Sequence, residues 1–543
     1  MRDDRAVVGF LDQRMTRRRF GQVAGASALA TLIASCTGTA SGPSAGGSAA
    51  PSAGASGATK APVRGGTLVY ARNLDAKTLD PHFSAQLSER YVLYLIFNTL
   101  VAYDKDFNIV PDLARSWDIS SDKKSITFHL QPGAKFHDGT ACDATAVKFS
   151  LDRVVDPAVN SPLRGQLVPP LSGVEVVDKA TVRINTSMAW RPLLAALGER
   201  PGFIVSPAAV QKYGKDFGRN PVGSGPFKFV EWTPDSRVVV ERFDGYWDPG
   251  KPYLDRIEVR HVPDSQVRLT MIRTGEAQLI DSVTPALVPT LQSASGVTVA
   301  ELQSGRFWGV QMPNKKAPFN NADLRKALAY ATDREAVRKV AFAGTGRLAT
   351  HPLGAGWAYE RSLDSGGYAF DLDKAKAALK DANLPAGTTL LFQNSDDRQQ
   401  LDIAQALAST YGQIGLKIQQ QAVPAADSFG MLKQGKIDWT LTNWAPRADP
   451  DGLLRILWYS KGFQNTTAFS DPEVDRLLDE AAGEFDTTKA KPLYTKAEQI
   501  IVANADYDFM LWPSEFAAYR SEVGNFVYHP DLILRMRDLF IAK

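Results

Sequence analysis

Alternating apolar and polar residues predict strands at several places along the chain. In each stretch β-branched or aromatic residues alternate with polar ones, which is the period of a half-buried strand. Breakers such as Pro132-Gly133 and Asp244-Gly245 separate the stretches. The predicted strands cover residues 66–71, 125–130, 181–185, 237–242 and 257–262.

Helical periodicity is clearest in the second half of the chain. Residues 324–331 place Leu and Ala on one face, and residues 400–415 form an amphipathic helix that ends at Gly415. Thr332 and Glu335 have the spacing of a capping box for a further helix. Because strands and helices interleave, the pattern predicts an α/β protein.

The first 35 residues have the features of an export signal. Residues 16–20, Thr-Arg-Arg-Arg-Phe, fit the twin-arginine pattern. Residues 21–35 are uncharged and rich in Gly, Ala and Ser, and this run is shorter than the about 20 apolar residues that cross a membrane. We therefore predict a twin-arginine-type lipoprotein signal peptide over residues 1–35.

A lipid-attachment site follows this signal. Residues 33–36, Ile-Ala-Ser-Cys, match a bacterial lipobox, in which the thiol of Cys36 receives the lipid. Residues 36–62 then consist mostly of Ser, Gly, Ala, Thr and Pro, a composition typical of a flexible tether. We predict an exported protein anchored at Cys36 to the outer face of the cytoplasmic membrane, or facing the periplasm. The alternative is a leader that is cleaved elsewhere, with Cys36 as an ordinary residue.

Charge argues against nucleic acid as a partner. The chain has 62 basic and 59 acidic residues, and removal of the six arginines and three aspartates of the signal leaves 56 of each. A neutral mature chain lacks the basic bias that phosphate backbones select. Cys142 is the one other cysteine, so the mature chain contains no pair for an internal disulfide.

Short motifs follow one another from residue 65 to about residue 529. They are 74–75 (Leu-Asp), 78–82 (Thr-Leu-Asp-Pro-His), 113–117 (Leu-Ala-Arg-Ser-Trp), 127–130 (Thr-Phe-His-Leu), 135–139 (Lys-Phe-His-Asp-Gly), 223–227 (Gly-Ser-Gly-Pro-Phe), 246–247 (Tyr-Trp), 318–319 (Pro-Phe), 324–328 (Leu-Arg-Lys-Ala-Leu), 333–334 (Asp-Arg) and 449–451 (Asp-Pro-Asp). In this order they resemble the family 5 (peptide/opine/nickel) extracellular solute-binding proteins of ABC transporters.

The resemblance implies an α/β, two-lobed periplasmic-binding-protein-like fold of type II with an extra subdomain on the first lobe. Lobe I would comprise residues 63–98, 221–305 and 513–543, and residues 99–220 would form the inserted subdomain. Lobe II would comprise residues 306–512. A monomer would then close around a peptide-like or other small organic solute and deliver it to the ABC permease.

The most informative candidate binding segment is residues 439–451, a strand followed by a loop. Asn443, Trp444, Arg447 and Asp449 lie where ligands collect beyond the carboxyl ends of strands. Peptide-binding relatives tend to carry an Asp about three residues after the Trp, and this chain has Arg447 there. A guanidinium cannot hold an ammonium group, so Arg447 favours an anionic solute. The alternative is that Arg447 pairs with Asp449, Asp451 or another nearby carboxylate and only shapes the loop.

Three further side chains are candidates for solute binding. Arg398 precedes the helix predicted from residue 400, Trp308 lies near the proposed crossing between lobes, and Phe83 follows an early motif. An exposed arginine without function and aromatic residues packed in the core are the alternatives.

Two other functions remain open at this stage. A secreted hydrolase would commonly show Gly-x-Ser-x-Gly, and residues 222–225 lack its first glycine. Some members of the family carry nickel, usually as a complex with an organic chelator, but the six histidines are scattered singly. We therefore predict a binding protein with no catalytic residues, no protein-ligated metal and no cofactor.

Overall fold

A computed structural model describes residues 61–542 except residues 85, 169 and 386. The predicted signal peptide, Cys36 and all but the end of the predicted tether lie outside these residues. No helix in this part of the chain combines the length and apolar character that a membrane crossing requires.

The first lobe is built on a seven-stranded mixed sheet. Its central strand pairs in parallel with one neighbour on each side, and the remaining pairs are antiparallel. In spatial order the strands are β12 (Val297–Gln303), β19 (Ser514–Arg520), β11 (Leu279–Ile280), β1 (Thr67–Arg72), β10 (Arg256–His261), β9 (Arg237–Arg242) and β8 (Phe227–Thr233). The sheet therefore combines strands from three separate stretches of the chain.

Both faces of this sheet are covered. Leu68 and Tyr70 of β1 belong to one apolar cluster, and the alternate residues Val69 and Ala71 belong to another. Helix α1 (Leu87–Ile96) packs on the first side, while α5 (Ser265–Thr274) and α6 (Val288–Gln292) lie on the second. A strand that is buried on both faces reads as a continuous apolar run, as β1 does.

An inserted subdomain lies between the first and second strands of this lobe along the chain. Its antiparallel sheet has the order β4 (Ala114–Ile119), β5 (Ser125–Leu130), β7 (Thr181–Thr186) and β6 (Leu171–Asp178). Its other elements are the hairpin of β2 (Val101–Tyr103) and β3 (Ile109–Pro111) and the helices α2 (Ala144–Val155), α3 (Pro192–Ala196) and α4 (Pro207–Tyr213). Asp143 caps α2 by accepting hydrogen bonds from the backbone of Thr145 and Ala146.

The second lobe is built on two smaller sheets. One is antiparallel with the order β14 (Arg347–Leu348), β18 (Tyr507–Trp512), β13 (Phe307–Gln311) and β17 (Thr440–Trp444), and the other pairs β15 (Thr389–Ser395) in parallel with β16 (Lys417–Val423). A short pair of β20 (Val523–Gly524) and β21 (Phe540–Ile541) lies near the chain end.

Eight helices of the described chain pack around these two sheets. They are α7 (Ala322–Tyr330), α8 (Arg334–Phe342), α9 (Leu372–Ala382), α10 (Arg398–Gln413), α11 (Ala425–Lys433), α12 (Asp451–Trp458), α13 (Pro472–Gly483) and α14 (Thr487–Asn504). The predicted cap of α8 is wrong by one residue. Asp333 accepts the hydrogen bond from Ala336 N, because the hydroxyl of Thr332 donates back to Leu328 O in the preceding turn.

The chain passes between the two lobes at two neighbouring points. The first is the short segment between β12 and β13, and the second is Pro513 between β18 and β19. Two adjacent crossings of this kind form a hinge. The exact segment boundaries predicted from the sequence stay predictions.

Candidate functional site

A cavity of about 560 Å³ lies between the lobes beside these crossings. Arg72, Tyr91 and Glu515 are among the residues that the first lobe contributes, and Trp308 and Arg398 are among those of the second. The end of β1 and the start of α1 form one wall, while α8 and the start of α10 form the other. A volume of this size suits a small organic solute.

Charged side chains around the cavity are already paired. Arg398 contacts Asp402 at 2.9 Å, and Arg306 at the hinge contacts Glu515 at 3.3 Å. A third pair joins Arg72 to Asp281 with an N–O separation of 3.7 Å. The charges beside the cavity therefore nearly cancel, which favours a solute that carries both charges or several hydrogen-bonding groups.

The pair of Arg72 and Asp281 is the most deeply buried of the three. Arg72 is 3% exposed and Asp281 is 1% exposed. The Arg72 guanidinium lies 3.7 Å from the centre of the Tyr91 ring and donates to Ser88 O at 2.9 Å. Within the described chain neither carboxylate oxygen of Asp281 accepts a hydrogen bond of normal geometry. Burial, and next the charge of Asp281, raise the pKa of Tyr70 well above its ordinary value, so its hydroxyl stays protonated as a donor.

Two of the predicted site residues line this cavity and a third lies beside it. Trp308 is 6% exposed and packs edge-on against Phe342, and Arg398 begins α10 with its side chain 87% exposed at the cavity mouth. The register of β13 and β17 pairs Trp308 with Asn443. Directly opposite residues project from one face of a sheet, so the exposed Asn443 side chain lies next to Trp308.

Asp449 occupies a different place, because its carboxylate pairs with Arg191 of the inserted subdomain. Arg191 is 7% exposed and also donates to Glu484 O at 2.9 Å and to the Tyr494 hydroxyl at 3.0 Å. Its guanidinium lies 4.6 Å from the centre of the Trp357 ring. These partners all belong to the second lobe, so Arg191 joins the subdomain to it. Against the lowering effect of burial, the charge of Asp449 raises the pKa of Arg191, which keeps the arginine charged.

The remaining predicted residues lie outside the cavity lining. Trp444 is half-buried with its ring centre 6.0 Å from that of Phe429, and Phe83 is 39% exposed, 5.5 Å from the Arg153 guanidinium. Arg447 is half-buried and, among the described residues, makes no hydrogen bond or ion pair. The carboxylates considered as its partners are engaged elsewhere, because Asp449 pairs with Arg191 and Asp451 with Arg455.

The described residues offer no ready metal site. Within them, no group of three or more His, Cys, Asp or Glu side chains could hold an ion. His351 is fully buried with its two ring nitrogens 2.9 Å from Glu498 and 3.1 Å from Asp364. It therefore joins segments of the second lobe.

Several residues of this site have no recognisable signal in the sequence. Arg72, Tyr91, Asp281 and Glu515 come from four separate segments and meet only in the folded molecule. Arg191 follows a Trp in an ordinary loop, and its partner Asp449 lies 258 residues away. Of these residues, Arg72 directly follows a predicted strand and Glu515 lies near a predicted crossing between lobes.

Two α/β lobes around a polar cavity, joined at a double crossing, define the class of periplasmic-type binding proteins. The comparisons give the particular family. Residues 108–465 match the family description "Bacterial extracellular solute-binding proteins, family 5 Middle". The chain belongs to this family, as the ordered motifs predicted, and it is a solute-binding protein and not an enzyme.

Curated relatives and solved structures agree with this assignment. The chain is 31% identical over 477 residues to the glutathione-binding protein GsiB of Pectobacterium atrosepticum, which covers 86% of this chain and 92% of that protein. It is similar to DppA of Helicobacter pylori in complex with the peptide STSA, with a TM-score of 0.81, 27% identity, and coverage of 89% and 99%. It is also similar to AgaA of A. tumefacien R10 in complex with agropinic acid, with a TM-score of 0.80, 27% identity, and coverage of 88% and 99%.

Proposed function

We propose that this protein captures a peptide-sized organic solute, bearing at least one anionic group, between its two lobes and delivers it as a monomer to an ABC permease. The observation that supports this most is the interlobe cavity of about 560 Å³, lined by polar groups from both lobes. The neutral balance of the lining suits solutes with charges of both signs, such as peptides. The relatives named for glutathione, a peptide and agropinic acid bind solutes of this size and polarity.

A thermal-shift screen of the exported protein tests the proposal. The panel contains glutathione, di- and tripeptides, opines, sugar phosphates and nickel–histidine complexes, since a bound solute raises stability by RT ln(1 + [L]/Kd). We expect at least one organic solute to raise the melting temperature and to be recovered unchanged. If no compound shifts the transition, or if the active compound is consumed, the proposal is wrong.

A cavity-filling variant locates the binding site. Ala341 on α8 lines the cavity and is half-buried, so Ala341→Trp should obstruct the cavity while the fold survives. We expect the shift caused by the active solute to disappear. The matched control is Ala180→Trp in an exposed turn of the inserted subdomain, which should keep the full shift.

We also propose that the protein is exported by the twin-arginine route and anchored through Cys36. The arginines of residues 17–19 and the lipobox sequence of residues 33–36 support this proposal. Cys36→Ala should move the protein from the membrane fraction into the soluble exported fraction, measured by fractionation and immunoblotting. Cys142→Ala is the matched control, because Cys142 is buried in the subdomain and should leave the distribution unchanged. Persistent membrane association of the Cys36 variant would contradict the anchor.

A further inference from the structure

Two arginines that approach each other from opposite sides of the interlobe boundary form no ion pair with a carboxylate of the described residues. Arg200 belongs to the inserted subdomain and is 7% exposed. Its one hydrogen bond among the described residues is to Ser84 O at 3.4 Å, and its buried Nε has no partner there. Arg447, on the loop after β17, makes no hydrogen bond or ion pair with any described residue.

The loop that carries Arg447 packs directly on the segment that carries Arg200. Ala448 is in an apolar cluster with Tyr103, whose hydroxyl donates to Ala195 O and whose ring fills the space beside Gly198. Asp449 pairs with Arg191 of the same segment. The pKa of Arg200 agrees with this proximity. Burial lowers this pKa to about 10, and the positive charge of Arg447 is the next largest cause of the lowering.

Glu199, Asp531 and Glu89 already have partners among the described residues, although the charges of Glu199 and Glu89 partly offset the lowering of the Arg200 pKa. Glu199 and Asp531 bind Arg90, and Asp531 also binds Arg535. Glu89 accepts hydrogen bonds from the Ser84 hydroxyl and from Gln86 N. Positive charge therefore exceeds negative charge locally, which is costly for a largely buried arginine unless an anion neutralises it.

Resting on the proposed function, we infer that Arg200 and Arg447 form an anion subsite that holds a carboxylate or phosphate group of the solute. Each guanidinium presents planar donors suited to such a group. The subsite is linked to the helix that lines the cavity, because Arg200 donates to Ser84 O just before α1, whose Leu87 and Tyr91 are in the cavity wall. Since one arginine belongs to the subdomain and the other to the second lobe, a bound anion also replaces repulsion across the boundary by attraction and favours closure.

The substitution Arg447→Asp distinguishes this subsite from a structural arginine. An aspartate beside Arg200 would neutralise the like-charge contact, so we expect the melting temperature of the ligand-free protein to rise while anion binding is lost. A structural arginine would give the opposite result, a lower melting temperature. Arg447→Gln removes the positive charge without adding a negative one. Comparing it with Arg447→Asp shows whether an effect comes from the loss of the arginine or from the new carboxylate. Arg476→Gln, on an exposed face of α13, is the matched control.

The probes are succinate and inorganic phosphate, compared with chloride at equal ionic strength by thermal shift and calorimetry. We expect one or both anions to stabilise the wild type and the control, and to bind Arg447→Gln at least about tenfold more weakly. Preference for succinate or for phosphate identifies the anionic group. Equal effects on wild type and Arg447→Gln, or no effect beyond chloride, would overturn the subsite. If organic solutes still bind in the screen above, only this inference fails, whereas a screen without any binder removes the proposed function as well.

Discussion

At the scale of single residues, one buried ion pair lies beside the cavity. Arg72 and Asp281 are both almost fully buried, and Asp281 has no other cation at ion-pair distance among the described residues. Removing one partner of such a pair leaves an uncompensated charge in a medium of low dielectric constant. The fold of the first lobe therefore depends on the pairing of Asp281 with Arg72, a residue of the cavity lining.

We predict that Arg72→Met lowers the free energy of unfolding by about 3–5 kcal/mol. The double substitution Arg72→Met with Asp281→Leu should recover most of this loss, because both charges leave together. Urea denaturation of the two single variants and the double variant gives the coupling energy. Additive losses in the double variant would show that the two side chains do not act as a pair.

The sequence indicates some residues of the candidate site and not others, for a physical reason. The sequence points to Asn443 through the end of a predicted strand, to Arg398 through the start of a predicted helix and to Trp308 through the proposed crossing between lobes. The structure places them in or beside the cavity. Asp449 has the same kind of position, but its environment depends on Arg191, which reaches it across a tertiary interface. Pairings between distant segments leave no periodic signal.

At the scale of elements, buried polar residues join helices and strands of the second lobe. Asp506, just before β18, is fully buried and accepts hydrogen bonds from Trp458 of α12 at 3.2 Å and from Thr467 at 2.7 Å. Burial raises its pKa to about 6 from an ordinary value of 3.8. Because the folded protein holds this proton more tightly than the unfolded chain, the associated stability is complete below pH 3.8 and is lost as the pH rises through 6.

We therefore predict a changed pH profile for Asp506→Asn. Relative to wild type, the variant should gain up to about 3 kcal/mol of unfolding free energy between pH 4 and pH 7, because it has no carboxyl proton to lose. Urea denaturation at several pH values measures this difference. Asp235→Asn, at an exposed position, should follow the wild-type profile. A difference between Asp506→Asn and wild type that does not vary with pH would contradict the assignment.

The presence of these helices and strands was predicted well, whereas their first and last residues were predicted less well. Strands β5 and β9 have the bounds that alternation predicted, while β1, β7 and β10 differ by one residue at their ends. Helix α10 begins at Arg398, two residues earlier than its apolar period indicates, because Asp397 accepts the capping hydrogen bond from Gln400 N. Which residue caps a helix depends on side-chain geometry, and the apolar period of the sequence does not reveal that geometry.

At the scale of the whole molecule, Arg191 is the most extensively bonded link between the subdomain and the second lobe. We predict that Arg191→Ala shifts the population toward an open form, with a larger radius of gyration in small-angle scattering. Binding of the active solute should weaken about tenfold, because apparent affinity falls with the closed fraction. Arg183→Ala, which removes an exposed pair with Glu175 in the same subdomain, is the matched control. An unchanged radius and affinity would show that Arg191 is not needed for closure.

The position of β19 in the first-lobe sheet has a consequence for biosynthesis. This strand lies between β12 and β11, although it leaves the ribosome more than two hundred residues after both. Until residues 514–520 emerge, both neighbours have a free hydrogen-bonding edge, and such edges favour aggregation. The first lobe can therefore complete its sheet only after residues 514–520 have emerged. Nonsense mutations anywhere before the codons for residues 514–520 should consequently yield a chain that is degraded or aggregates instead of a shortened but active protein.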